Sequence, residues 1–455
     1  MEQLTSSFRD PSGYLFTKDE WLYRFIASSY LKHYRHLQQS GLYQKLTMEK
    51  KLVTHEEEQP ITDKNSLIIK PKLIPFISYP YEWSFDQLKD AALLTLDIQQ
   101  TALEHGMSLK DASAFNVQFI GASPIFIDTL SFEILEVEKP WVAYRQFCQH
   151  FLAPLALMAL VDVRLLSLFK THLDGIPLDL TSALLPFSTK LHFSLQLHIH
   201  MHAKSQKKFE RSPATAGQSN ATFSLTKHKA LIDSLKTAIT SLNLPRITTE
   251  WGDYYNDDSY TSIGLQSKQK IVEQFLKLIS PKTVCDLGAN DGFFSLLAKQ
   301  QGAYVISSDY DPLCVNNNYR RLKTLGSTSI LPLMIDITNT SANLGWNHTE
   351  RETFEQRAQA DCIFALALIH HLAISNNIPL SFIAKYFSKL GPYAIIEFVP
   401  KTDKKVQTLL ATRKDIFPDY TQEAFESVFG EAFHILQKEH IQDSERILYL
   451  MKRLK

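Results

Sequence analysis

The stretch Val284-Cys285-Asp286-Leu287-Gly288-Ala289-Asn290-Asp291-Gly292-Phe293-Phe294-Ser295 limits the folds open to this chain more than any other. An apolar, partly β-branched run ends in an acid, and two glycines follow four residues apart. The order predicted is a short buried strand, a tight turn and a helix start. Glycine lets a backbone turn sharply and approach a ligand with no Cβ in the way. This is the first half of a nucleotide-binding βαβ unit. A second strand, Ala303 to Ser308, ends in Asp309 about twenty residues further on.

Two cofactor classes use such a unit. A dinucleotide fingerprint would place glycine at positions 290 and 293, where this chain has Asn290 and Phe293. What remains, acid-x-Gly-x-x-x-Gly, resembles motif I of the class I S-adenosylmethionine (SAM) methyltransferases. SAM has no pyrophosphate, so no third glycine is needed at the helix N-terminus. It carries an ammonium and a sulfonium, which suit an acid such as Asp286, while Asp309 can accept hydrogen bonds from both ribose hydroxyls. The resemblance implies SAM as cofactor, with Asp286, Gly288, Asn290, Gly292 and Asp309 around it. It also implies adenine contacts at Asp336 and Ile337 and a place near the methyl group for Ala365. Tyr260 and Lys268, ahead of the first strand, match a segment that closes over the cofactor in many such enzymes. Lys268 would pair with the methionine carboxylate there.

The totals narrow the rest. At 455 residues the chain exceeds the size of one ordinary core, so two domains are expected. Lys plus Arg equals Asp plus Glu at 48 each, which gives no bulk attraction to nucleic acid or membrane. Cys148, Cys285, Cys314 and Cys362 are scattered, so buried free thiols and a reducing cytoplasm are expected. No apolar run is long enough to span a bilayer, and residues 1–9 hold no apolar signal core.

In the first half, Gly13 to Phe16 and Trp21 to Ile26 read as a hairpin, and Tyr30 to Gln39 as a helix closed by Gly41. Leu67 to Ile69 and Phe76 to Tyr79 read as extended. Phe85 to Glu104 reads as a long amphipathic helix. Asp111 and Asn116 follow it five residues apart, and Asp128 ends a strand a dozen residues later. That spacing resembles the catalytic loop and metal-binding acid of protein kinases, with Asp111 orienting a hydroxyl and Asn116 and Asp128 holding Mg²⁺ on a nucleotide. No His-Arg precedes Asp111, no Phe-Gly follows Asp128, and no glycine-rich loop is found, so Arg24 is the sole guess for the strand lysine. An Asp–Asn turn capping local backbone fits the same residues.

Residues 139–175 read as helical. Leu191 to His202 alternates apolar and polar, which in a strand places His198, His200 and His202 on one face, either as a metal site or as a solvated edge; a helix fits the stretch too. The edge is preferred and no metal is expected. Ser212 to Ser224 reads as a loop, and Lys227 to Leu242 as a helix. The expected division is an N-terminal α+β domain over 1–175, a helical and linker region over 176–245, and a methyltransferase domain over 246–455.

In that last domain, strands are expected at Ile330 to Ile335, Asp361 to Leu368, Tyr393 to Phe398 and, antiparallel, Ser444 to Met451. The fold class is α/β, a Rossmann-like doubly wound sheet. No Asn-Pro-Pro-Tyr-like tetrad and no Pro-Cys nucleophile follows the fourth strand. His370 and His371 stand there and suit general-base work at a hydroxyl or an acidic carbon. Core or capping histidines fit equally. Glu397 and Arg413 are secondary candidates for acceptor contacts, with Lys401 to Phe433 as a lid. The whole pattern is similar to bacterial nodulation-type SAM-dependent methyltransferases with a kinase-like N-terminal half. The implied activity is methyl transfer to oxygen or carbon of an unidentified acceptor. A nucleotide-binding or phosphotransferase role for the first half, or a SAM-binding regulator without turnover, are the alternatives.

Overall fold

A computed structural model describes residues 2–58, 66–204, 223–245, 260–411 and 415–454. The chain divides into two compact units. Unit 1 holds Met1–Phe119, Pro124–Arg246 and Asn343–Arg351, and unit 2 holds Ile120–Ser123, Ile247–Ala342 and Glu352–Lys455.

Unit 1 carries a five-stranded antiparallel sheet in the order Glu2–Gln3, Gly13–Lys18, Trp21–Ile26, Leu67–Pro71, His55–Glu58. Its central hairpin sets Gly13 opposite Ile26 and Lys18 opposite Trp21. The turn rests on Asp19 and Glu20, both at positive φ, the two-residue geometry that matches the twist of paired strands. The helix Leu31–Gln39 follows the third strand and buries Tyr34 and Leu37. The helix Phe85–Glu104 starts at a capping box, in which the Gln87 side chain accepts from the Ser84 amide and Ser84 accepts from Gln87. From the second half of the chain, Asn343–Arg351 belongs here. Glu350 pairs with Arg9 at 2.7 Å, and the Arg351 guanidinium lies 4.2 Å from the Phe115 ring centre.

Phe76 to Tyr79 pairs with no strand, and the Ser78 amide donates to the Gln118 side chain at 2.9 Å. One expectation fails in this unit. Leu191 to His202 is not a strand but helical turns, Phe187–Leu191, Phe193–Leu195 and Gln196–Met201. The imidazoles are held there: His200 meets Ser182 and Thr189, His198 meets Tyr144 and Ser234, and His202 stacks on Tyr144. Among the described residues no group of His, Cys, Asp and Glu is placed to hold a metal ion.

Unit 2 is built on seven strands: β1 Thr283–Leu287, β2 Tyr304–Asp309, β3 Ile330–Met334, β4 Cys362–Ala365, β5 Tyr393–Phe398, β6 Phe433–His440 and β7 Ile447–Arg453. Their order is β3-β2-β1-β4-β5-β7-β6. The first five run parallel, and β7 lies antiparallel between β5 and β6. Helices cross between the parallel strands, so both faces are covered and the strands are nearly continuous apolar runs. This is a Rossmann-like, doubly wound sheet. The order reverses between β1 and β4, and the crevice at that switch point, outside the C-terminal ends of the strands, is where such sheets take ligands. The fourth strand stops at Ala365 rather than Leu368, because Ala367 turns the chain at φ 52°. β6 begins where the expected lid was to end.

Candidate functional site

The turn after β1 uses three left-handed residues, Gly288, Asn290 and Gly292 (φ 70°, 52° and 80°), before the helix Phe293–Gln300. A Cβ on Gly292 would lie 2.5 Å from the Asn318 side chain, so the close packing of this helix requires glycine. The turn is tied to β2. The Asn290 amide donates to Asp309 Oδ2 at 2.7 Å, and Ala289 N–H to the Ser308 carbonyl at 2.9 Å. Asp309 Oδ1 accepts from the Asp311 amide. Asp286 Oδ2 accepts from the Ser295 hydroxyl at 2.6 Å.

Over these strand ends lies a cavity of about 350 Å³. Of the residues the sequence pointed to, Lys268, Asp286, Gly288, Asn290, Asp309, Asp336, Ile337 and His371 line it. Gly292, Tyr260, Ala365 and His370 do not. Gly292 caps the helix behind the turn, Ala365 is sealed inside β4, and His370 is 2 % exposed. Sequence reasoning passed over Phe294, Tyr310, Thr338, Ser375, Asn376 and Leu409, which also line the wall. Ser375 ends a π-helical turn, His371–Ser375, a rare geometry that recurs at functional sites but leaves no pattern in a sequence.

The cavity is acidic at its base, where Asp286 and Asp309 are buried. Burial pushes the Asp286 carboxyl up to about 7 and the Asp309 carboxyl up to about 6, against the hydrogen bonds each accepts. Asp336 is exposed and accepts from the Thr338 amide and hydroxyl. Two buried acids and one rim acid offer hydrogen-bond acceptors and negative charge to whatever enters this space.

Lys268 is engaged on the protein side. Its ammonium lies 2.7 Å from Glu397 Oε2 and 3.1 Å from the Tyr260 hydroxyl, which itself donates to Glu397. Arg446 reaches Glu397 at 3.4 Å and Asp403 at 2.7 Å. Burial pushes the Glu397 carboxyl up, but Lys268 and Arg446 outweigh it and hold it below the ordinary value. Glu397 is 0 % exposed, so it does not contact an acceptor as expected; it anchors two cations under the site. Arg413 lies outside the described residues, as do Trp251 to Asn256.

The histidine pair is split by burial. The two rings stand 4.0 Å apart, and desolvation lowers both, His371 to about 4. Each is neutral at pH 7, and His371 is a weak base facing the cavity.

In unit 1 the Asn116 and Asp128 side chains meet at Ser131, and Asp111 hydrogen-bonds Asn116. Asn116 Nδ2 donates to Ser131 Oγ, whose hydroxyl donates to Asp128. Burial, and then the charge of Asp128, push the Asp111 carboxyl up. Arg24 lies 2.8 Å from Asp128 Oδ1 and 2.8 Å from Asp10 Oδ2.

No family profile matches the chain. Among solved structures it is similar to the N-methyltransferase NodS from Bradyrhizobium japonicum WM9 (11 % identity, 43 % of this chain and 98 % of that one, TM-score 0.33). It is also similar to magnesium protoporphyrin IX methyltransferase from Synechocystis PCC 6803 (18 % identity, 45 % and 92 %, TM-score 0.33). The bifunctional kinase-methyltransferase WbdD covers 44 % of this chain with 42 % of its own, at 13 % identity and TM-score 0.31. Among curated proteins, nodulation protein NoeA of Rhizobium meliloti (strain 1021) is 34 % identical over 463 aligned positions, 99 % of this chain and 96 % of that protein. The chain belongs to the family of nodulation protein NoeA.

Proposed function

We propose that unit 2 binds S-adenosylmethionine and transfers its methyl group to an oxygen or carbon of an acceptor. One observation carries this: two buried acids, Asp286 and Asp309, face a single cavity at the switch point of the sheet, and burial has raised both. Asp309, fixed by the Asn290 and Asp311 amides, would accept from ribose hydroxyls. Asp286 would meet the ammonium of the amino-acid tail, and Asp336 with Ile337 the adenine. Lys268 holds the far wall, balanced by Glu397. The bound cofactor supplies a methyl group on an already reactive sulfonium, so positioning of the acceptor does most of the work.

His371 is the acceptor-side group in this reading. As a neutral imidazole of low basicity it orients an acceptor hydroxyl by hydrogen bonding and takes up a proton only as that proton is lost. Relation to a nodulation protein suggests nodulation as the setting.

We read unit 1 as kinase-like in plan: a five-stranded antiparallel sheet, a helix after the third strand, a long helix, then Asp111, Asn116 and Asp128 in order. Arg24 meets the charge of Asp128 where a phosphotransferase would hold Mg²⁺, which favours a scaffold over a working kinase.

Titration calorimetry with S-adenosylhomocysteine and labelled-methyl transfer into fractionated small molecules, RNA and protein test the proposal. Binding together with label in one fraction is expected, and label is lost with His371→Ala while binding stays. No heat with either SAM or its demethylated product ends it. Binding without any turnover favours a regulator.

A further inference from the structure

The buried acids form only part of the cavity wall. Another part comes from the turn after β4, which supplies His371, Ser375 and Asn376. This turn is π-helical, and an i→i+5 turn is one residue wider than an α turn, so it returns residue 376 over residue 371. In an α-helical register residue 375 would share the face of His371, and Asn376 would fall to the side.

Backbone bonds alone close the turn. The Asn376 amide donates to the His371 carbonyl at 3.1 Å, Ile378 N–H donates to the Leu372 carbonyl at 3.0 Å, and Asn377 at φ 55° ends the helical path. The Asn376 side chain adds a second bond to the same His371 carbonyl, from Nδ2 at 2.9 Å. A carbonyl only accepts, so the nitrogen end of this side-chain amide faces it and the oxygen end is turned away. Among the described residues no protein donor meets Oδ1. An exposed side chain on the cavity wall is thus tied at one end to its own turn and offers an acceptor at the other. Part of the entropy that ordering it would cost on binding is already spent.

Resting on the methyl-transfer reading above, we propose that Asn376 is a specificity-determining residue, whose Oδ1 accepts a hydrogen bond from the methyl acceptor while His371 meets the atom to be methylated. An amide oxygen pairs with a donor and repels another acceptor. The methyl acceptor therefore carries a hydroxyl or N–H group beside its methylation site, and no carboxylate or phosphate at that position. Leu368, Leu372 and Leu409 add apolar wall to the same cavity and offer no substitute for that bond.

The test uses the full chain, labelled SAM and a dilution series of the cell-extract fraction that the wild type labels. Asn376→Ala should raise the half-saturating amount of that fraction about threefold to tenfold, the worth of one hydrogen bond between neutral groups, with a smaller change in the limiting rate. Asn376→Asp keeps an acceptor oxygen and loses the donor to His371, so it should bring half-saturation back toward the wild-type amount. A side chain that merely holds the turn would fail in both variants. Both should bind S-adenosylhomocysteine like the wild type in calorimetry. Wild-type saturation in Asn376→Ala, or an Asn376→Asp protein as impaired as Asn376→Ala, overturns the inference. A wild type that binds no S-adenosylhomocysteine ends the cofactor reading itself. One that binds it but labels no fraction leaves no acceptor for Asn376 and overturns this inference alone.

Discussion

Replacing Glu397 with glutamine keeps the shape of a 0 % exposed side chain and removes the one charge that both Lys268 and Arg446 face. Removing one partner of a buried ion pair costs about 3–5 kcal/mol, because the other charge stays buried without compensation. Arg446 keeps Asp403 at 2.7 Å, so the loss falls mainly on Lys268, which retains the Tyr260 hydroxyl and the Phe294 ring at 4.5 Å. That argues for the lower half of the range, about 3–4 kcal/mol. For a unit of this size each kcal/mol moves the melting temperature by about 2–4 °C, so Glu397→Gln should melt about 10 °C lower at pH 7. Burial already draws Lys268 below the ordinary lysine value, and losing Glu397 draws it lower. The unfolded chain then binds this proton more tightly than the folded one, so stability rises with pH and part of the loss returns as pH climbs toward the ordinary lysine value. Adding Lys268→Met should recover stability rather than compound the loss, since it removes the stranded charge. The assay is scanning calorimetry of the full chain, following the transition of unit 2. A Glu397→Gln protein that melts within a degree or two of wild type, or a double variant showing the sum of two losses, refutes the reasoning.

Asp309→Ala should weaken S-adenosylhomocysteine binding about tenfold to a hundredfold, the worth of hydrogen bonds to a charged acceptor, as read by calorimetry; unchanged affinity counts against the ribose assignment. Because Asp286 and Asp309 titrate near 7 and 6, a cationic ligand must draw off protons below that range. Affinity for SAM should therefore climb from pH 5 to 7 by up to about tenfold per unit and then level, with proton release seen in buffers of different ionisation heat. Stability of the ligand-free protein runs the other way. These raised acids hold protons in the folded state that the unfolded chain has released, so their contribution falls as pH rises from about 4 through 7, measurable by denaturant titration across that window. Gly292→Ala, at φ 80° and with its Cβ 2.5 Å from Asn318, should cost about 1–3 kcal/mol in the same titration; a neutral result would mean the helix can shift away.

Unit 2 was legible because its parallel strands are buried on both faces. Val284, Cys285, Val305, Leu331, Ile363 and Ile395 leave apolar runs that end in Asp286, Asp309 and the turn before Asp336. β6 was missed for the opposite reason: it is an edge strand, FHILQKEH, mostly exposed, and it carries neither an alternation nor a run. Leu191 to His202 misled because period two also appears by chance along short turns, where Ser182, Tyr144 and Ser234 take up the imidazoles. Glu397 looked available as a lone acid at a strand end. Only its neighbours, forty-nine residues on at Arg446 and far back at Lys268, show it to be committed. Likewise Leu409 and Asn376 reach the cavity from connections whose path no local signal encodes.

Each unit includes a short piece from the opposite half of the chain: Ile120–Ser123 in one direction, Asn343–Arg351 in the other. A gene cut at codon 246 would therefore not release two whole domains. The front fragment would lose the Glu350 partner of Arg9 and the guanidinium lying on Phe115. The rear fragment would lose the backbone that pairs Ala122 with Ser327. Insertions or deletions that separate the halves in evolution would face the same double loss, so the two are expected to be inherited as one reading frame.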